Sequence, residues 1–232
     1  MKSILFVRGF STPLSSGKDD YLCIKLLLQN TYDFMYFDYD PSEEPDLVYR
    51  RLCAVLELHK FDILISHSLG GTLLAKYFKA NPSKIPDYDK IVLLMPALCR
   101  NVLWDLSTKL AIAEYIPLPK ALFAPMSSII ENGNILNNDY SLVSFRQPLI
   151  FYTEPNSAIS NDVSFIINNP NIIVFYANDE KLNMIDDSVL AQIPTDQLKR
   201  VYGLHECWRS VRIDHAETVD FFAQLRLVLS DI

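Results

Sequence analysis

An α/β architecture, in which a mainly parallel β-sheet is covered by helices on both faces, follows from two features of the sequence. Strand-like apolar runs alternate along the chain with segments whose apolar residues recur at helical spacing. Several runs, such as KIVLLMPA at residues 90–97, are apolar almost throughout, which is typical of strands that are buried on both faces. Helices between such strands are the usual crossovers of a parallel sheet, so the two features predict one architecture.

The first half of the chain repeats the order strand, loop, helix. We predict strands at residues 3–8, 32–40 and 61–66. Helices are predicted between them, at residues 18–29 and 43–59, and a third helix is predicted from the glycine pair to about Ala80. The second of these helices has acidic residues in its first turn, where the helix dipole favours negative charge.

The second half is less regular. Residues 99–147 combine an amphipathic segment with a polar stretch, and we interpret them as a cap or insertion over the mouth of the sheet. The later patterns predict strands at 148–154 and 171–177, a helical region over about 186–206, a short strand at 208–213 and a last helix at 217–229. Because no repeat or linker interrupts this order, we expect residues 1–232 to form a single domain.

Composition narrows the classes of function. Half of the residues are hydrophobic and 21% are charged, as in an ordinary globular protein. The net charge of -7 argues against a nucleic-acid partner, because binding to phosphates depends on clustered Lys and Arg. The N-terminal apolar run is too short for a signal peptide, and no apolar stretch is long enough to span a membrane. We therefore expect a cytoplasmic protein.

The cysteines and charged residues do not predict a metal site or a cofactor. The four cysteines are widely spaced and contain no C-x-x-C pair, so we interpret them as reduced thiols. The sequence also has no glycine-rich phosphate loop and no His/Asp/Glu cluster with ligand spacing. We expect the protein to act without metal or cofactor.

Residues 66–70, SHSLG, lie between a predicted strand and a predicted helix. They match the nucleophile-elbow pattern G-x-S-x-G, with Ser66 in place of the first glycine and Ser68 as the candidate nucleophile. Gly70 and Gly71 would let the helix lie close to the sheet, and the sharp turn would push the Ser68 hydroxyl into the open. The alternative is a turn serine without a chemical role.

A nucleophilic serine requires a base, and the base requires an acid that orients it. His215, just before the last predicted helix, is the favoured base, and the side chain of His67 is expected to point away from its neighbour Ser68. Asp179 follows an apolar strand in an Asn-Asp-Glu turn and is the favoured acid, which gives the chain order Ser, Asp, His that is known for one class of hydrolase. The residues that remain as alternatives are Glu154, Glu180 and His205.

These motifs resemble those of the α/β-hydrolase superfamily across nearly the whole chain. The resemblance rests on FVRGFS after the first strand, SHSLGG at the turn, YANDE after a late strand and DHAE before the last helix. The chain looks most like the small bacterial esterases, in which the first segment usually reads His-Gly-Phe, and Arg8 stands here in place of the histidine. The resemblance implies the α/β-hydrolase fold, a triad of Ser68, His215 and Asp179, and an oxyanion hole formed by the N–H groups of Leu69 and Phe10.

The resulting hypothesis is a serine hydrolase that cleaves a carboxylic ester, or a thioester, of a small molecule through an acyl-enzyme. Apolar residues of the insertion would line the pocket for a short to medium acyl group, namely Trp104, Tyr115, Leu118, Phe123 and Met126. A peptidase or an acyltransferase would use the same triad. A non-catalytic binding scaffold or receptor with this fold is the competing hypothesis, because function resides in the site and the fold is shared.

Overall fold

The computed structural model describes residues 1–9, 21–39, 43, 45–98, 163–177, 185, 187–202 and 216–230. Every structural statement below refers to these residues. The predicted insertion at 99–147 and the predicted strands at 148–154 and 208–213 lie outside them. Among the helices that are described, none combines the length and the hydropathy that crossing a membrane requires.

Within these ranges the chain forms six β-strands and six α-helices. The strands are β1 Ser3–Val7, β2 Asp33–Phe37, β3 Ile63–His67, β4 Lys90–Leu94, β5 Ile172–Ala177 and β6 Leu198–Val201. The helices are α1 Leu22–Leu28, α2 Pro45–Leu58, α3 Leu69–Ala80, α4 Ser164–Ile167, α5 Asp187–Leu190 and α6 Ala216–Ser230. A 3₁₀ helix, Pro82–Asp87, follows α3 and was not predicted. The strands and helices expected in the first half of the chain are confirmed, with ends that differ by a few residues.

All six strands are parallel and lie in the order β2-β1-β3-β4-β5-β6. Alternate side chains of each strand contribute to two hydrophobic cores, one on each face of the sheet. Leu5 and Val7 of β1 belong to the core under α2 and α3, whereas Ile4 and Phe6 belong to the core under α1 and α6. The predicted parallel sheet with helices on both faces is therefore confirmed, and the burial of both faces explains why its strands are apolar throughout.

The connections that leave β1 and β3 run in opposite directions. The chain after β1 returns through α1 on one face to β2, and the chain after β3 returns through α3 on the other face to β4. A crevice therefore opens between the carboxyl ends of these two adjacent strands, the point at which open α/β sheets bind their ligands. Ser68 directly follows β3 at this crevice, and Arg8 and Gly9 follow β1.

Within 187–202, the described part of the predicted helical region 186–206, only the short α5 is an α-helix. Residues Leu198–Val201 instead form the edge strand β6, which pairs with Val174–Ala177 of β5. The side-chain nitrogen of the buried Gln197 lies 2.7 to 3.0 Å from three carbonyl oxygens at the ends of α4 and β5, which holds the start of β6 in place. Local spacing did not predict this strand, because the partner that supplies its hydrogen bonds is distant in the sequence.

The two cysteines in the described ranges, Cys23 and Cys53, are half-buried free thiols. Burial raises the pKa of the Cys53 thiol, although a hydrogen bond from Tyr49 opposes this effect. The interpretation of these two residues as reduced thiols is consistent with this structure. Cys99 and Cys207 lie outside the described residues.

Candidate active site

Ser68 occupies a strained turn between β3 and α3. Its backbone has φ 49° and ψ -117°, a conformation that L-residues other than glycine rarely adopt. Three backbone hydrogen bonds hold the turn: the Ser68 N–H donates to the Leu94 carbonyl at 3.0 Å, and the Ser68 carbonyl accepts from Gly71 at 2.9 Å and from Ala97 at 3.1 Å. Backbone strain of this kind persists where the surrounding structure imposes it, and it is concentrated at functional sites.

Gly70 and Gly71 allow α3 to begin in contact with two neighbouring segments. A Cβ at Gly70 would lie 2.3 Å from the Val7 carbonyl oxygen, and a Cβ at Gly71 would lie 2.6 Å from Cβ of Pro96. Any other residue at position 70 would therefore overlap the backbone of β1. The predicted close approach of the helix to the sheet is confirmed at Gly70, whereas Gly71 contacts the loop after β4.

The Ser68 side chain is less accessible than its sequence motif predicted. Only 8% of its surface is exposed, whereas we expected the hydroxyl to lie in the open. The segments after β1 and β4 pack against the elbow: a Cβ at Gly9 would lie 3.1 Å from Ser68 Cβ, and the Ala97 N–H donates to the Ser68 carbonyl. Ser68 is therefore a nearly buried residue of the described structure.

Ser66, which replaces the first glycine of the elbow motif, points its hydroxyl towards α3. Its oxygen lies 3.6 Å from the position that a Cβ on Gly71 would occupy, and the residue is completely buried. No hydrogen-bond partner for this hydroxyl is found among the residues that the structure describes. A buried hydroxyl without a partner does not contribute to stability, so serine is tolerated here for its size.

We therefore expect Ser66→Ala to leave the free energy of unfolding within about 1 kcal/mol of the wild type, or to raise it. The matched control is Thr72→Val, because the Thr72 hydroxyl is equally buried but donates a 2.6 Å hydrogen bond to the Ala97 carbonyl. That variant should lose about 1–3 kcal/mol. Urea denaturation of both variants measures the difference, and a larger loss for Ser66→Ala than for Thr72→Val would contradict the prediction.

Arg8, at the end of β1, is buried and forms an ion pair with Asp38, which is 28% exposed. Its guanidinium carbon lies 5.2 Å from the centre of the Tyr21 ring, within range of a cation–π interaction. The Tyr39 hydroxyl donates to the Arg8 carbonyl at 3.3 Å, and burial raises the pKa of this hydroxyl, so it remains neutral. The residue in the place of the usual histidine therefore anchors the start of the loop that follows β1.

The Tyr21 hydroxyl joins the loop after β1 to the strand that carries Ser68. It accepts a hydrogen bond from the Gly9 N–H at 3.0 Å and lies 2.9 Å from Nδ1 of His67. The side chains of Tyr21 and His67 are both buried. His67 is thus directed to Tyr21 rather than to the nucleophile beside it, as the sequence led us to expect.

No protein-family model matches this sequence, and no curated protein matches it. Solved structures do match. A monoacylglycerol lipase of Paleococcus ferrophilus superimposes with a TM-score of 0.64 at 13% identity, over 99% of this chain and 94% of that one. A carboxylesterase of the thaumarchaeon Nitrososphaera gargenis has a TM-score of 0.64 at 15% identity, over 100% and 92% of the two chains. A monoglyceride lipase of Saccharomyces cerevisiae has a TM-score of 0.65 at 15% identity, over 99% and 88%.

The chain has the α/β-hydrolase fold. The resemblance seen in the motifs is therefore confirmed as a likeness of fold. At identities of 13–15% the comparison shows the fold, and support for a particular reaction comes from the site.

In this α/β-hydrolase fold, two of the predicted site residues belong to the described ranges. Ser68 is at the elbow, and Leu69 begins α3, where the first N–H groups of a helix have no partner within the helix. The remaining predictions lie outside the described residues: Phe10, Asp179 and His215, the pocket residues Trp104, Tyr115, Leu118, Phe123 and Met126, and the alternatives Glu154, Glu180 and His205. Within the described ranges, no three His, Cys, Asp or Glu residues come close enough together to hold a metal ion.

Sequence reasoning missed two contact residues, Tyr21, which reaches His67 beside the elbow, and Asp38, which pairs with Arg8. Tyr21 had no recognisable signal, because its contact with His67 joins residues 46 positions apart. Asp38 could have been suspected, since a buried strand end that carries Arg8 requires a carboxylate partner. The sequence did not indicate which of its acidic residues would supply that partner.

Proposed function

We propose that the protein is a serine hydrolase that cleaves a carboxylic ester through an acyl-enzyme. The observation that carries the proposal is the strained backbone of Ser68, which stands at the carboxyl end of the central strand β3 and at the switch point of the sheet. A turn of this kind presents a serine to a carbonyl carbon while the N-terminus of α3 faces the developing negative charge. Met95, which follows β4, also has a positive φ of 41°, so the position of Ser68 at the switch point counts together with its strain.

In the proposed reaction, Oγ of Ser68 attacks the ester carbonyl carbon while His215 takes the serine proton. The tetrahedral intermediate expels the alcohol, to which His215 returns the proton, and leaves the acyl group on Ser68. Water then attacks the acyl-enzyme with His215 again as base, which releases the carboxylic acid and restores the serine. Asp179 orients the imidazole and stabilises its protonated form.

The topology supports this choice of base and acid. Asp179 is the second residue after β5, and His215 is the residue immediately before α6. Strand β5 lies two places from β3 in the sheet, and neighbouring strands are about 4.8 Å apart. The carboxyl ends of β3 and β5 are therefore separated by about 10 Å, a spacing that an imidazole hydrogen-bonded on both sides can bridge.

The contacts of Gly9 support Phe10 as the second donor of the oxyanion hole. The Gly9 N–H is already bonded to Tyr21. The next N–H along the loop belongs to Phe10, so we assign Phe10 and Leu69 as the two donors. Each donor of this kind contributes about 10²- to 10³-fold to the turnover rate.

Three of the structural neighbours, two lipases of monoacylglycerols and a carboxylesterase, support an ester as the substrate. We assign Trp104, Phe123 and Met126 to the acyl pocket, on the basis of their apolar character and their place in the predicted insertion. A short to medium acyl chain is the proposed ligand of that pocket.

The test is labelling with a small fluorophosphonate, followed by mass analysis of the modified peptide. We expect one adduct per chain, located on Ser68. Ser68→Ala should abolish it, whereas Ser66→Ala, two residues away, should label like the wild type. If the folded wild-type protein does not label, the proposed hydrolase activity is wrong and the non-catalytic scaffold is the better hypothesis.

A further inference from the structure

We infer that Tyr21 is a positioning residue for the proposed reaction. Its hydroxyl connects the loop that would supply the Phe10 donor to the strand end that carries Ser68. The inference rests on the proposed function and adds to it a residue outside the triad and the oxyanion hole.

The Tyr21 hydroxyl has a hydrogen-bond partner on each side of the crevice. A phenol has one proton, and the Tyr21 oxygen accepts the Gly9 N–H at 3.0 Å. The same oxygen lies 2.9 Å from Nδ1 of His67, and the tautomer of the imidazole sets which of these two atoms donates. The chain of hydrogen bonds runs from Gly9 through Tyr21 to His67 and joins the two sides of the crevice.

Gly9 packs closely against His67, so the hydrogen bonds of Tyr21 set the distance between the loop after β1 and the end of β3. A Cβ on Gly9 would lie 2.8 Å from His67 Nδ1 and 2.9 Å from the His67 carbonyl oxygen. The N–H of Phe10 belongs to the peptide unit that begins at Gly9. A displacement of Gly9 away from His67 would therefore also displace that donor relative to Ser68.

Other contacts fix the same loop from the opposite side. The Arg8 side chain is paired with Asp38, and the Arg8 carbonyl accepts from Tyr39. These contacts attach the loop to β2 and the segment after it. Tyr21 provides the attachment towards the elbow, which is the direction that sets the geometry of the oxyanion hole.

The test compares Tyr21→Phe with the control Tyr32→Phe. Tyr21 also packs its ring on Phe6 with centroids 4.9 Å apart, and phenylalanine keeps that packing while it removes the hydroxyl. Tyr32 likewise donates a hydroxyl hydrogen bond, to the Leu229 carbonyl at 3.2 Å, at the opposite end of α1. The measurements are kcat and KM for an aryl ester and the rate of fluorophosphonate labelling.

We expect Tyr21→Phe to lower kcat and the labelling rate about 10- to 100-fold, because a small misplacement of a catalytic group has effects of this size. KM should stay within about twofold of the wild type, and Tyr32→Phe should change neither quantity by more than about twofold. A Tyr21→Phe variant with the kcat of the wild type would overturn the inference. A loss that appears only in KM would also overturn it.

Two substitutions at His67 provide a second route if Tyr21→Phe does not fold. His67→Leu removes the hydrogen-bonding partner of Tyr21 and should reduce kcat as Tyr21→Phe does, whereas His67→Asn retains a hydrogen-bonding group near the position of Nδ1 and should recover most of the loss. Equal activity in the leucine and asparagine variants would overturn the inference. Labelling of the wild type distinguishes a failure of this inference from a failure of the proposed function. If the wild type labels and the variants match it, only the role of Tyr21 is refuted. If the folded wild type does not label, both the proposed function and this inference are refuted.

Discussion

Ser68→Ala is expected to reduce ester turnover by about a thousandfold or more, because the acyl-enzyme cannot form without the hydroxyl. The measurement is the hydrolysis of an aryl ester at a saturating concentration, with circular dichroism to show that the variant is folded. Ser66→Ala is the control, since it removes a hydroxyl two residues away that does not face the crevice. Turnover that persists in folded Ser68→Ala would contradict the assignment of the nucleophile.

Ser68→Gly should be equally inactive but more stable than Ser68→Ala. The backbone at this position has φ 49° and ψ -117°, which glycine adopts without a Cβ clash. Relief of such strain contributes about 1–3 kcal/mol, and the greater entropy of unfolded glycine offsets about 0.5–1 kcal/mol of it. Urea denaturation of the two variants should therefore differ by about 1 kcal/mol in favour of glycine. A less stable glycine variant would show that the elbow is not strained.

Gly70→Ala is expected to destabilise the protein by about 3 kcal/mol or more, although alanine is normally the better helix residue. The added Cβ would lie 2.3 Å from the Val7 carbonyl oxygen and 2.6 Å from that of Arg8. Both atoms belong to the backbone at the end of β1, so they cannot be displaced by a rotamer change. The start of α3 must then move away from the sheet, and the elbow moves with it.

The free energy of unfolding of Gly70→Ala, measured in urea, tests this expectation. Gly71→Ala is the comparison, because its added Cβ would meet the ring of Pro96 at 2.6 Å, in a connecting loop rather than a strand. We expect a smaller loss at position 71 than at position 70. A stability of Gly70→Ala equal to or above that of the wild type would mean that the helix does not approach β1 as described.

Much of the sheet could be predicted because its signals are local. A strand that is buried on both faces is apolar at every position, and this property can be read from residues 61–66 or 90–97 without knowledge of the fold. The elbow was predictable for a similar reason, since a tight turn beside a backbone requires small residues at fixed positions. The structure confirms the turn and the role of Gly70.

Strand β6 and the surroundings of Ser68 were not predictable in this way. Strand β6 has only four residues, of which one is fully buried. Its pairing with β5 decides its conformation. Ser68 packs against Gly9, which comes from the loop after a different strand, β1. A short segment without a strong pattern takes its structure from its neighbours in space.

The parallel sheet, its helical cover and the position of the serine turn were determined by the sequence, because apolar spacing and small residues act on their immediate neighbours. The contacts that link Tyr21 to His67 and Arg8 to Asp38 were decided by the folded arrangement. They join residues 46 and 30 positions apart, and no local pattern specifies such a pairing. The physical reason is that a buried polar group bonds to a partner that lies near it in three dimensions. The order of the strands in the sheet decides which strand ends lie close together.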